Sequence, residues 1–325
     1  MSTLTLKGPT WVTVRQYRRT LWVAGAAVGA SLAVIGGLRI WDAQTPDSLT
    51  VDGNWIPAND TGYTVLRWAM EYAGGGMILL PLLVGAFVAG PLIAREFESG
   101  TYKVSLTQSV SPSAWLRAKL LTATAVALLA TLALTGVFRI GWSGMAGTWY
   151  LSWDPGPYTA TGIVLFAYVL AAVAVGALVG QLVRRTLVAM AATGLVVGVV
   201  VLVMGALRWS ILPVQRITGP IGPTLSFPAD SLMMETGRLT ASGARFDDMI
   251  CWNEANSTPG TDTTQGLWAK VEAQCQARHG VTSQYIDYHP ASHFWPTQLI
   301  ETGIVLALAA LAALAAFRVL RARHP

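Results

Sequence analysis

Apolar residues gather into six long runs along this chain, at about 21–40, 73–94, 120–138, 163–182, 187–207 and 298–317, separated by polar intervals of very unequal length. Each run approaches the roughly 20 residues that a helix needs to cross a bilayer core. The pattern predicts an all-α polytopic membrane protein with six transmembrane helices. The interval at Arg184-Arg185 is so short that it forces antiparallel neighbours. The longest polar segment, 208–297, is predicted to fold as a small cap inserted between spans five and six. Trp41–Trp68 and 139–162 read as loops from their turn chemistry, and Gly74-Gly75-Gly76 offers either close packing or local flexibility in span two.

Ahead of the first run, residues 1–20 carry Lys7, Arg15, Arg18 and Arg19 and no acid, with Trp11, Val12, Val14 and Tyr17 interleaved among polar positions. That pattern fits a basic amphipathic helix lying on the membrane surface; a disordered basic lead-in is the alternative. The run at 21–40 exceeds a signal-peptide core and lacks a small-x-small site before the next polar segment.

Between spans two and three, residues 95–119 read R-E-F-E-S-G-T-Y-K-V-S-L-T-Q-S-V-S-P-S-A-W-L-R-A-K. The apolar helix is predicted to continue through Arg95, Glu96, Phe97 and Glu98 and to end at Gly100, with a kink near Pro91. Ser111-Pro112 supplies a capping serine and a proline suited to a first helical position. Taken as residue types alone, the interval is a solvated charged turn or a docking element.

Composition agrees with the span count: 53% hydrophobic and 12% charged residues over 325 positions belong to a membrane protein. Basic residues set the orientation, because cytoplasmic flanks hold the excess of Lys and Arg. Thirteen lie on the side of the two termini and only Arg39, Arg67 and Arg139 in the short opposite loops, so both termini are expected in the cytoplasm. The net charge of +5 then reflects topology rather than nucleic-acid binding.

Both cysteines, Cys251 and Cys275, fall in the long segment on the opposite, oxidising side and are expected to form a disulfide. A helix is expected over 264–279, and His279, His289 and His293 follow without the tight spacing of a metal site. The aromatics Trp209, Trp252, Trp268, Tyr285, Tyr288, Phe294 and Trp295 suit a domain core and a lipid-facing belt, or contact with an apolar cargo. Glu71 and Glu301 lie near outer helix ends, where a carboxylate can reach water; the sharper reading puts Glu301 on a translocation path. No run of intramembrane acids or histidines forms a proton relay. The sequence carries no phosphate-loop, G-x-S-x-G or H-E-x-x-H motif, so catalytic and metal residues are not assigned, and the adjacent Asp247-Asp248 reads as a solvated turn.

The order R-E-F-E-x-G-T, then T-Q-S-V-S, then W-L-x-A-K resembles the cytoplasmic loop after the second span in ATP-binding-cassette exporter permeases of the type-2 class, especially actinobacterial ones. The resemblance implies that residues 1–20 form an elbow helix. It also implies that Arg95, Glu96, Phe97, Glu98, Gly100, Thr101, Thr107 and Gln108 belong to a coupling element that docks on a separate cytoplasmic ATPase. That partner would bind ATP and Mg, with no cofactor on this chain. A second permease copy or a paralogue would complete a pathway in the bacterial cytoplasmic membrane. The implied activity is export of a hydrophobic or amphipathic substrate such as a drug, peptide, lipid or glycan precursor. A sensing complex whose cap binds an outside ligand is the alternative, and a membrane-bound enzyme is a third.

Overall fold

The computed structural model describes residues 18–44, 48–51, 54–57, 61–102, 111–143, 145, 152–222, 224–260 and 266–323. Most of the expected elbow segment, together with Thr107 and Gln108, lies outside the described residues. The chain divides into two compact units, one of Met1–Ile211 with Trp295–Pro325 and one of Leu212–Phe294.

The first unit is a helix bundle. Its elements are α1 (Arg18–Gln44), a hairpin of β1 (Ser48–Val51) and β2 (Asn54–Pro57), α2 (Thr61–Ser99), α3 (Pro112–Trp142), α4 (Pro155–Thr161), α5 (Val164–Val183), α6 (Thr186–Leu207) and α9 (Phe294–Arg323). Six of them, α1, α2, α3, α5, α6 and α9, are long and apolar enough to cross a membrane. The helices overrun the apolar runs, because polar residues at a span's end continue the backbone ladder. The stretches expected as plain loops therefore hold more structure: the β1–β2 hairpin in one, and α4, with Tyr158 fully buried, in the other.

Helix α5 is the hub. In its most apolar window 72% of residues are buried, against 6% in α1 and 22% in α6, which turn most of their apolar surface outward. Small residues explain the position: Ala171, Ala172, Gly176, Ala177 and Gly180 let a neighbouring backbone come close. A Cβ on Gly176 would sit only 2.4 Å from the Cβ of Ala89 in α2. By contrast Gly75 and Gly76 face open space, while Gly74 beside them is buried.

At this contact α2 changes form. It is α-helical over Thr61–Leu83, a π-helix over Val84–Ala89 and α-helical again over Gly90–Ser99. The Gly90 N–H donates to the Gly85 carbonyl, five residues back. Pro91 follows at once; lacking an N–H, it cannot continue the four-residue ladder.

The second unit corrects the all-α expectation. It contains β3 (Gln215–Pro220), β4 (Leu232–Thr240), β5 (Arg245–Phe246), α7 (Asp248–Ser257), α8 (Leu267–Arg278) and β6 (Val281–His289). The strands form an antiparallel sheet in the order β3-β6-β4-β5. Strand β6, V-T-S-Q-Y-I-D-Y-H, is rich in β-branched and aromatic residues, which favour a pleated, half-buried surface. A disulfide joins Cys251 on α7 to Cys275 on α8, with their Cα atoms 5.5 Å apart. Closing a loop of that length stabilises by roughly 3–4 kcal/mol in the chain-entropy treatment. Asp247 caps α7 by accepting the Met249 N–H at 3.0 Å, while Asp248 pairs with Arg238 at 3.1 Å.

Candidate functional site

Five helix termini converge where α2 ends. Gly100, with φ of 72°, takes the left-handed conformation that stops α2, and the Ser111 hydroxyl accepts the Ala114 N–H at 3.3 Å to start α3. Glu96 turns inward rather than to solvent. Its Oε1 meets Lys119 Nζ at 2.5 Å, with side-chain exposures of 11% and 4%. A pair so buried needs its partner, since a lone buried charge is strongly unfavourable. Lys119 Nζ also stands 5.4 Å from the centre of the Trp115 ring.

Phe97 meets the Tyr102 ring at a tilt of 38° with centres 4.6 Å apart, meets Trp115 edge-on at 6.2 Å and lies under the Arg184 guanidinium at 5.6 Å. Glu98 accepts both the backbone N–H of Thr186, at 2.9 Å, and its hydroxyl, thereby capping α6. Arg323 closes the ring by donating to the Gln181 carbonyl at 2.7 Å, which ties α9 to α5. Of the residues singled out from sequence, Glu96, Phe97 and Glu98 are thus engaged inside the chain. Arg95 and Thr101 are exposed. Lys119, Trp115, Arg184 and Thr186 escaped notice as partners. Their clues were a Trp and a Lys at i and i+4 on the new helix, and the two-residue turn at Arg184-Arg185.

A second polar cluster lies at the other end of α6 and α9. Glu301 is fully buried, contrary to the water-facing expectation. Arg208 Nε and Nη2 reach its two oxygens at 2.9 Å each, and Tyr158 and Tyr168 donate their hydroxyls at 3.0 and 2.6 Å. The carboxylate therefore accepts four hydrogen bonds, which fills its capacity and leaves none for a passing substrate. The Arg208 guanidinium lies 3.9 Å from the Tyr158 ring centre. Gln298 completes the site: it accepts the N–H groups of Ile163 and Val164 at 3.2 and 3.1 Å and donates to the Tyr158 carbonyl at 2.7 Å. Glu71 does reach the surface, paired with Arg67 at 3.0 Å.

Between α1, α2 and α3 runs an apolar groove of about 610 Å³, with Ala27, Ile35, Ala69, Leu83 and Phe138 among its walls. In the second unit Tyr285 and Tyr288 are buried in the sheet, while Trp252 is exposed on α7. His279 faces Phe246 at 5.4 Å, and His289 and His293 meet through their Nδ1 atoms at 3.1 Å. Among the described residues no group of three or more His, Cys, Asp or Glu is placed to hold a metal ion.

Six apolar spans define a multi-pass membrane protein, and at one end an ion pair joins α2 to α3 and a helix cap joins α2 to α6. Residues 23–208 match the model of the family described as ABC-2 membrane transporter related, and the chain belongs to that family. It is accordingly a transporter permease subunit, and its family implies a membrane and an ATPase partner. No curated protein matches it.

Proposed function

We propose that this chain is the membrane half of an ATP-driven exporter for hydrophobic or amphipathic compounds. Its ATPase, which carries ATP and Mg, docks on the 95–119 connection in the cytoplasm, and a second permease copy completes the pathway. The observation that carries this reading is the interlock at the end of α2. Glu96 binds α3 and Glu98 binds α6, so a force applied at the exposed Arg95–Thr101 surface reaches three spans together. The apolar lining of the α1–α2–α3 groove, in which Ser31 is the one polar side chain among the described residues, supports an apolar cargo.

The test separates surface from interior. Arg95→Glu with Thr101→Glu changes exposed positions and is expected to abolish co-purification with the ATPase while leaving the unfolding temperature in place. Glu96→Gln strikes the internal pair and is expected to lower that temperature. Retention of the ATPase by the surface double variant would remove the docking assignment.

A further inference from the structure

The two pieces of α2 have different attachments. Gly90–Ser99 is fastened to α3 and α6 through Glu96 and Glu98. Thr61–Leu83 supplies one wall of the apolar groove, whose last α2 residue, Leu83, directly precedes the π segment. Between them Val84–Ala89 is held at near-backbone distance: Ala89 against Gly176, and Gly85, whose Cβ would lie 3.3 Å from Thr193 Cγ2 on α6. Isolated π segments within α-helices are rare and occur frequently at functional sites.

A second observation falls at the same place. Thr193 is fully buried on α6, and among the described residues its hydroxyl has no hydrogen-bond partner. Thr122 and Thr131 on α3 each donate to the carbonyl four residues back, at 2.8 and 2.7 Å. A buried hydroxyl left without that bond is unfavourable, and it sits beside a stretch of helix whose regular ladder is interrupted.

We propose that Val84–Ala89 is the hinge of α2. Movement of Gly90–Ser99 with the docked ATPase is converted there into a change in the groove wall along Thr61–Leu83, and the Thr193 hydroxyl takes a π-segment carbonyl in the alternate state. The inference rests on the exporter reading above. It adds where the motion is converted and which surface responds.

The experiment uses the full chain in complex with its ATPase. Gly85→Cys with Thr193→Cys places two thiols within reach of a disulfide, and the native cysteines are already bonded to one another. Amide hydrogen exchange over Thr61–Leu83 is compared with and without trapping by ATP and vanadate. Trapping is expected to alter exchange there in the unmodified chain. In the oxidised double variant the response is lost while the ATPase stays bound, and mild reduction restores it in part, since a thiol at position 193 is a weaker donor than the hydroxyl it replaces. Deleting Phe87, an exposed π-segment residue, returns the helix to an unbroken register and is expected to remove the response without any cross-link. An undiminished response in both the oxidised variant and the deletion overturns the hinge and leaves the exporter reading standing. Failure of the unmodified chain to bind the ATPase overturns both.

Discussion

Glu98, near the end of α2, caps Thr186, the first residue of α6, across 88 positions of sequence. The carboxylate takes the Thr186 N–H at 2.9 Å together with the hydroxyl, so a side chain from the last turn of one span caps the start of another. The turn it secures contains Arg184 at φ of 57°, a left-handed conformation that an arginine adopts only when its surroundings hold it there.

Removing that cap has a defined cost. Glu98→Ala is expected to lower the unfolding midpoint, because two donors at the start of α6 lose their acceptor. Chemical unfolding in detergent, followed by tryptophan fluorescence, measures it. An unchanged midpoint would mean that α6 begins without help from α2.

The Arg208–Glu301 pair should behave asymmetrically. Glu301→Gln or Arg208→Met alone leaves one buried charge without its counterpart and is expected to cost about 3–5 kcal/mol. Arg208→Met combined with Glu301→Leu removes both charges and should recover much of that loss, less what Tyr158 and Tyr168 forfeit as donors. Thermal unfolding of the three variants decides the point; equal losses in single and double variants would show that the charges do not act as a pair.

Acid should find the second unit at Asp287. Hydrogen bonds from Arg216, whose Nε and Nη2 each stand 2.6 Å from a carboxylate oxygen, hold the Asp287 carboxyl below its ordinary value, despite the opposing effect of burial. The unfolded chain then binds the proton more readily than the folded one. Stability from this pair is therefore fully present above the ordinary value of 3.8 and is lost as pH falls from there through the depressed folded value. Far-ultraviolet circular dichroism between neutral pH and the acid limit should show a transition in that window, and Asp287→Asn should flatten it. A transition of equal size in Asp287→Asn would assign acid sensitivity elsewhere.

What could be read from sequence follows the range of the interaction concerned. Spans are legible because hydropathy is local, and so are Gly100 and Ser111-Pro112, because stopping and capping a helix involve only adjacent residues. The sheet was hidden: 215–220, 232–240 and 281–289 gain their meaning only when paired, and β6 takes its central place between strands that lie on opposite sides of it in space. Glu301 illustrates the same limit. Its position near a helix end suggested water, yet Arg208 and two tyrosines from distant parts of the chain enclose it. Glu96 stands out by motif, but nothing local says that Lys119 draws it inward. Close approach at a glycine likewise depends on the opposite surface: Gly75 and Gly76 face open space, whereas Gly176 matters through what Ala89 does opposite it.

The spacing of Arg208 and Glu301 also sets an order of assembly. Arg208 is synthesised 93 residues before its carboxylate. At synthesis rates of roughly 5–20 residues per second, α6 waits on the order of 5–20 seconds with a guanidinium at its end. During that interval the whole inserted unit emerges. Only α9 brings the carboxylate that pairs with the waiting charge, so a chain cut before α9 would keep α1, α2, α3, α5 and α6 with an arginine lacking its counter-ion.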